Sequence, residues 1–314
     1  MRLSSINFVD MYVGEDFCDV KGWPEAETPR APAPLDISPS ADELRALLLS
    51  SFEEHGQPEF ALAIDNLNFR VTAMLDVKHR HVFVLRRSNA VIRPLAEIGL
   101  PPLVVNHVIH RATRGLVLIS GDFGAGKTST AASMMRSRVQ ALGEIGVVIE
   151  DPPETNLDGL HGPGRCIQLQ ASSKNGSYSE LLKRALRSGA DAILIGEIRD
   201  RETAQLVVRE SLNGNLIITT MHALGVTAAI DRLASWSELP NAHDMLSYGL
   251  SVAIWQRLET GRGSSSFEDK RTLHVDSLVV AGKSENAIRQ KIRSGNVGSL
   301  KQEMLDQATA ARWG

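Results

Sequence analysis

The chain has 314 residues, 43% hydrophobic and 23% charged, the balance of an ordinary soluble globular protein with room for two domains. A formal net charge of −3 argues against a general nucleic-acid coat, so no nucleic-acid partner is expected. The two cysteines, Cys18 and Cys166, form no C-x-x-C pair, and no apolar run approaches the ~18 residues a membrane span needs, so a reducing, cytoplasmic setting is expected.

Five of the thirteen prolines fall between Pro24 and Pro39, which predicts an extended loop or linker there. Ser40 and Glu43 then form an S-x-x-E capping box, and Leu44, Leu47 and Leu48 give the apolar stripe of a helix that ends before Gly56. Alternating and β-branched runs predict strands at 60–64, 69–75 and 81–85. Residues 1–88 therefore read as a small α+β domain, and 89–94 as a hinge.

From residue 95 to 314 the pattern changes. Strands are expected at 116–120, 146–150, 166–169, 192–196 and 216–220, and helices at 128–142, 178–188, 201–213 and 225–235. Ser177 and Glu180 form a second capping box, and residues 257–272 read as a flexible loop. Strands alternating with helices imply an α/β domain with a mostly parallel sheet covered on both faces. Ligands of such sheets sit at the carboxyl ends of the strands.

Residues 121–128 carry the most specific signal, Gly-Asp-Phe-Gly-Ala-Gly-Lys-Thr, which fits G-x-x-x-x-G-K-[ST]. Gly121, Gly124 and Gly126, with Ala125 between the last two, let the backbone curl so that its N–H groups face phosphate oxygens. Lys127 reaches the β- and γ-phosphates, the Thr128 hydroxyl ligates Mg²⁺, and Ser129 lies beside it in the same helical turn. An apolar strand precedes the motif and a helix follows it, so the helix N-terminus also faces the phosphates. ATP and Mg²⁺ are the expected ligands. Three later strands end in polar groups: Glu150 and Asp151 after the run 147–149, Glu197 after 192–196, and His222 after 216–221. A nucleotide hydrolase needs one carboxylate for the metal shell and another to orient water, and these strand ends are where both must lie.

The ordered motifs resemble the secretion ATPase superfamily, which includes pilus-retraction motors of the PilT type and the type II and type IV secretion ATPases. Glu150-Asp151-Pro152 resembles its aspartate box. Gly196-Glu197-Ile198-Arg199-Asp200 resembles its Walker B, and Thr219-Thr220-Met221-His222 its histidine box. The resemblance implies a PAS-like first domain followed by a RecA-like P-loop domain. It makes Glu197 the carboxylate that polarises water, Glu150 a second carboxylate at the γ-phosphate and metal, Asp151 a further metal-side group, and His222 a γ-phosphate sensor. It also implies that arginines of the first domain complete the charge at the nucleotide. Arg70 fits the family's F-R-V, and Arg86 or Arg80 a second position.

Residues 287–293, Ala-Ile-Arg-Gln-Lys-Ile-Arg, resemble the A-I-R-N-L-I-R element of retraction motors. In that arrangement Ala287, Ile288 and Ile292 pack on the core, while Arg289 and Arg293 face a partner or neighbouring subunit. The resemblance thus implies a homo-hexameric ATP-hydrolysing motor of a type IV pilus, of the retraction kind. It would be cytoplasmic and peripheral at the inner membrane, reached through a platform protein. The alternatives are a secretion, conjugation or pilus-assembly ATPase, and a regulatory module that hydrolyses little. The loop carries Asp122 and Phe123 where these motors have Pro-Thr, and Ala223 where they have threonine.

Overall fold

The capping box places the first helix, α1 (Ala41–His55), as expected. In the computed structural model, which describes residues 2–3, 6–34, 36–37, 39–65, 67–87, 92–172, 174–261 and 270–313, Ser40 Oγ accepts from Glu43 N–H at 3.3 Å. Gly56, at φ +67°, closes the helix by donating to Phe52 O. Ser40→Ala should destabilise the protein by about 1 kcal/mol, read as a lower urea midpoint, because it leaves a first-turn N–H without its acceptor. An unchanged midpoint would show that the box contributes nothing here.

The chain divides into two compact units: Met1–Val91 with Glu150–Asn156 and Leu169–Ser177, and Ile92–Ile149 with Leu157–Gln168 and Tyr178–Gly314. Among the described residues, the first unit has strands β1 (Asp10–Val13), β2 (Cys18–Lys21), β3 (Arg30–Pro32), β4 (Glu59–Ile64), β5 (Leu67–Leu75) and β6 (His81–Arg87). They form one antiparallel sheet in the order β3-β2-β1-β6-β5-β4. Alternation along β5 buries Phe69 and Val71 on the face that packs with Leu44 and Leu48 of α1, and turns Arg70 and Thr72 the other way.

Periodicity in the sequence misses β1 to β3, because strands of three or four residues carry too few alternations to read. The proline-rich stretch is not all loop: β3 lies inside it. As an edge strand β3 tolerates Pro32, and Arg30 fastens it to Asp19 of β2 with bonds of 2.9 and 2.8 Å.

In the second unit, α2 (Pro102–Val108) precedes β7 (Gly115–Gly121), α3 (Lys127–Leu142) and β8 (Ile145–Glu150). A short antiparallel pair follows, β9 (Gly159–His161) with β10 (Gly164–Gln170). Then come α4 (Tyr178–Arg187), β11 (Ala192–Ile195), α5 (Arg201–Glu210), β12 (Leu216–Met221), α6 (Val226–Ser237) and α7 (Ala242–Gly249). The chain closes with β13 (Leu250–Gly261), β14 (Lys270–Val279), α8 (Glu285–Arg293) and α9 (Lys301–Trp313).

The sheet order is β14-β13-β7-β12-β11-β8-β10-β9, and β13, β7, β12, β11 and β8 run parallel. Every residue of β7, β11 and β12 is buried, as expected for parallel strands covered on both faces. On one face α3 packs through Ala131, Ala132, Met134, Met135 and Val139.

Arg138 of α3 is fully buried. Its guanidinium holds both oxygens of Glu144 at 2.8 and 3.0 Å, and donates to Val108 O at 2.8 Å and His110 O at 3.2 Å. Those carbonyls lie at the end of α2 and just beyond it, where helix carbonyls lack intrahelical partners.

Residues 257–272 are not simply a loop. β13 and β14 pair in register from Val252↔Val279 to Gly261↔Lys270, which turns 257–261 and 270–272 into a hairpin. Residues 262–269 of the expected loop, and 88–91 at the expected hinge, lie outside the described residues.

Candidate nucleotide site

The P-loop, residues 121–128, leaves β7 at its carboxyl end and runs into α3. Two glycines here are required by geometry. A Cβ at Gly121 would lie 2.2 Å from Gln256 O, and Gly126 sits at φ +82° as the N-cap of α3. Lys127 is buried at 8% exposure, and its Nζ donates to Gly121 O at 3.0 Å and Asp122 O at 2.8 Å. Thr128 is half-buried and Ser129 exposed on the first turn of α3. Asp122 is exposed, so the loop's acid sits on its outer side while its carbonyl serves the lysine. Phe123 is also on the outer side.

The strands beside β7 deliver the other groups. His222 follows β12, and its Nδ1 lies 3.5 Å from Lys127 Nζ. Glu197 follows β11, with Oε2 3.9 Å from His222 Nε2 and Oε1 bonded to Arg199 Nε. Two bonds lace these strand ends together: Ile198 N–H donates to Thr220 O at 3.0 Å, and Thr220 Oγ1 to Gly196 O at 2.7 Å. Lys127, His222 and Glu197, far apart in sequence, thus converge on one end of the sheet. Glu150, buried, closes β8, and Asp151 follows it, half-buried.

The donors present suit Mg²⁺. That ion takes one or two protein oxygens and fills its octahedron with phosphate and water, so it needs no all-protein cage. A helix-start hydroxyl, Thr128, and the carboxylates at the end of β8, Glu150 and Asp151, are donors of that class. Among the described residues there is no group of three or more His, Cys, Asp or Glu that would form a different kind of metal site.

The three candidate arginines, Arg70, Arg80 and Arg86, are all paired within the first unit. Arg70 bonds Glu59 at 2.7 Å and lies 3.9 Å from Glu154, four residues past Glu150. Arg86 grips Asp10 with bonds of 2.7 and 3.2 Å. Arg80 bonds Asp76 at 2.8 Å and Asp16 at 3.4 Å, which makes it part of the turn before β6.

The arginines of α8 differ from expectation. Ile288 and Ile292 are buried as expected, but Ala287 is exposed, because the apolar stripe is only wide enough for the two isoleucines. Arg289 donates to the carbonyls of Ser247 and Tyr248 at the end of α7 and to Glu285 at 2.9 Å. Arg293 bonds Asp244 at 3.0 Å and covers the Tyr248 ring. Both arginines therefore hold α7 from within the chain.

Sequence reasoning missed Gln256, fully buried on β13, whose Nε2 donates to Ala125 O of the P-loop at 2.6 Å. The available signal was a single amide closing the otherwise apolar run 252–255, which reads as core.

The chain has known relatives. It is 35% identical over 182 residues to type II secretion system protein E of Klebsiella pneumoniae, covering 57% of this chain and 35% of that protein. It is 34% identical over 191 residues to competence protein ComGA of Streptococcus pneumoniae, covering 60% and 56%. The chain spans 35% to 66% of the length of the first curated relatives it matches. Among solved structures, the pilus retraction motor PilT with bound ADP shares its fold, at TM-score 0.77 and 24% identity over 96% of this chain and 86% of that one. The profile of the family described as "Type II/IV secretion system protein" matches residues 54–301, well over half of the 314, and the chain belongs to that family.

Proposed function

We propose that this chain is an ATPase, working as a homo-hexamer, that powers a type IV pilus or a related secretion machine at the inner membrane. The observation that carries the proposal is the convergence of Lys127, His222 and Glu197 on the carboxyl ends of three adjacent parallel strands. In this reading the N–H groups of the P-loop and the Lys127 ammonium bind the β- and γ-phosphates. Glu197 accepts a hydrogen bond from the attacking water and orients it in line with the γ-phosphorus, with Glu150 as the second carboxylate. His222, bridging Lys127 and Glu197, responds to the γ-phosphate. Thr128, with Glu150 and Asp151, would hold Mg²⁺, which when bound would neutralise charge developing on the phosphates.

Arg70 is the first-unit arginine best suited to add positive charge. Its partners Glu59 and Glu154 are themselves exposed and release it at little cost. Arg86 is the second candidate, and Arg80, tied to its own turn, the third.

The direction of work is retraction by resemblance, through an inner-membrane platform partner and a cytoplasmic location. The alternative is an assembly or secretion ATPase; Arg289 and Arg293 bond α7 within the chain, yet Arg293 stays exposed and open to a partner as well. Steady-state phosphate release from Mg-ATP tests the enzyme. Turnover with saturation supports it, whereas tight nucleotide binding without turnover would make the chain a regulatory module. Cells lacking the protein that retain pili but cannot withdraw them would favour retraction; cells with no surface fibre would favour assembly or secretion.

A further inference from the structure

Gln256 occupies an uncomfortable position for an amide. It has no exposed surface, its Nε2 makes one short bond to Ala125 O, and its Oε1 has no hydrogen-bond partner among the described residues. A buried acceptor left unmet is costly, so an apolar side chain of the same length would suit the core better. What the amide does supply is a donor to the P-loop, and its residue sits against the loop on both sides of that bond. The backbone carbonyl of Gln256 leaves no room for a Cβ at Gly121, and a Cβ at Gly126 would be in van der Waals contact with Gln256 Nε2 at 3.4 Å.

From this contact we propose that Gln256 is a positioning residue of the phosphate site. By pulling the Ala125 carbonyl toward β13 it turns that peptide so that the following N–H, on Gly126, points into the loop. A peptide plane is rigid, so fixing its C=O fixes the direction of its N–H. The bond joins an element of the sheet to the loop, and it restrains a segment whose glycines would otherwise explore many conformations. The inference rests on the nucleotide-binding reading above, and deepens it.

The test compares Gln256→Met, which keeps length and loses the donor, with Gln256→Glu, which keeps shape and replaces the donor with an acceptor. ADP affinity should fall about tenfold in Gln256→Met and at least as far in Gln256→Glu, as expected for loss of one loop-fixing hydrogen bond. AMP, which lacks the β-phosphate the loop holds, should change by less than about twofold in competition experiments. The melting temperature of Gln256→Met should move by no more than about 3 °C, because relief of the unmet acceptor offsets the lost bond.

Wild-type ADP affinity in either variant would overturn the proposal. So would equal weakening of ADP and AMP, or failure of both variants to fold, which would make Gln256 a part of the scaffold alone. Lys127→Ala separates this from failure of the underlying reading. If that variant loses ADP while Gln256→Met binds normally, only the role of Gln256 falls. If Lys127→Ala binds ADP like wild type, the phosphate site itself is wrong and the proposal goes with it.

Discussion

Lys127→Ala abolishes nucleotide binding, a loss of about a thousandfold or more in affinity for ATP and ADP alike. The ammonium is the cation that the loop itself carries, and it is already gathered over the loop by the Gly121 and Asp122 carbonyls. Those two bonds have a second meaning. They hold Nζ at the start of the P-loop, so in the proposed site reaching a phosphate exchanges these partners. Binding measured by isothermal titration or by displacement of a fluorescent nucleotide checks the result. Wild-type affinity in the variant would show that residues 121–128 are a glycine-rich turn and no phosphate cradle.

Glu197→Gln keeps ATP affinity within a few-fold of wild type and lowers turnover by about a hundredfold or more. The side chain keeps its shape, so its contact with Arg199 and its approach to His222 survive in outline. What disappears is the negative charge that orients and polarises water. Separate measurement of binding and single-turnover phosphate release distinguishes the two effects. A larger loss in Glu150→Gln would exchange the roles of the two carboxylates. Normal turnover in both would place the chemistry elsewhere in the molecule.

The parts of this site that the sequence makes legible are those in which backbone geometry dictates residue type. Gly121 is readable because no side chain fits there, Gly126 because its backbone is left-handed, and Ser40 because few residues can cap a helix. The strand-end groups Glu197 and His222 stand out because a polar residue ends an apolar run at the carboxyl end of a parallel strand, where ligands of such sheets bind.

The less legible parts depend on neighbours distant in sequence. Gln256 follows the same local rule as Glu197, yet nothing in the sequence says that β13 lies beside β7 and under the P-loop. Arg289 and Arg293 show the same limit. Helical spacing gives the face they share but not that α7 is waiting against it. Ala287 sits at the margin of its stripe, where a small apolar residue is tolerated on either side of the boundary.

The brace around Arg138 makes α3 and the end of α2 one mechanical unit. A helix of this length is a rod of about 24 Å, stiff along its axis. Its head carries Lys127, and near its foot Arg138 is clamped to Glu144 and to the end of α2 by four hydrogen bonds in a dry interior. The foot of α3 and the end of α2 therefore cannot slide past one another without breaking buried bonds. Both ends of the helix are thus held, the head by Lys127 on the Gly121 and Asp122 carbonyls and the foot by Arg138 on Glu144, which makes α3 the fixed post of its layer.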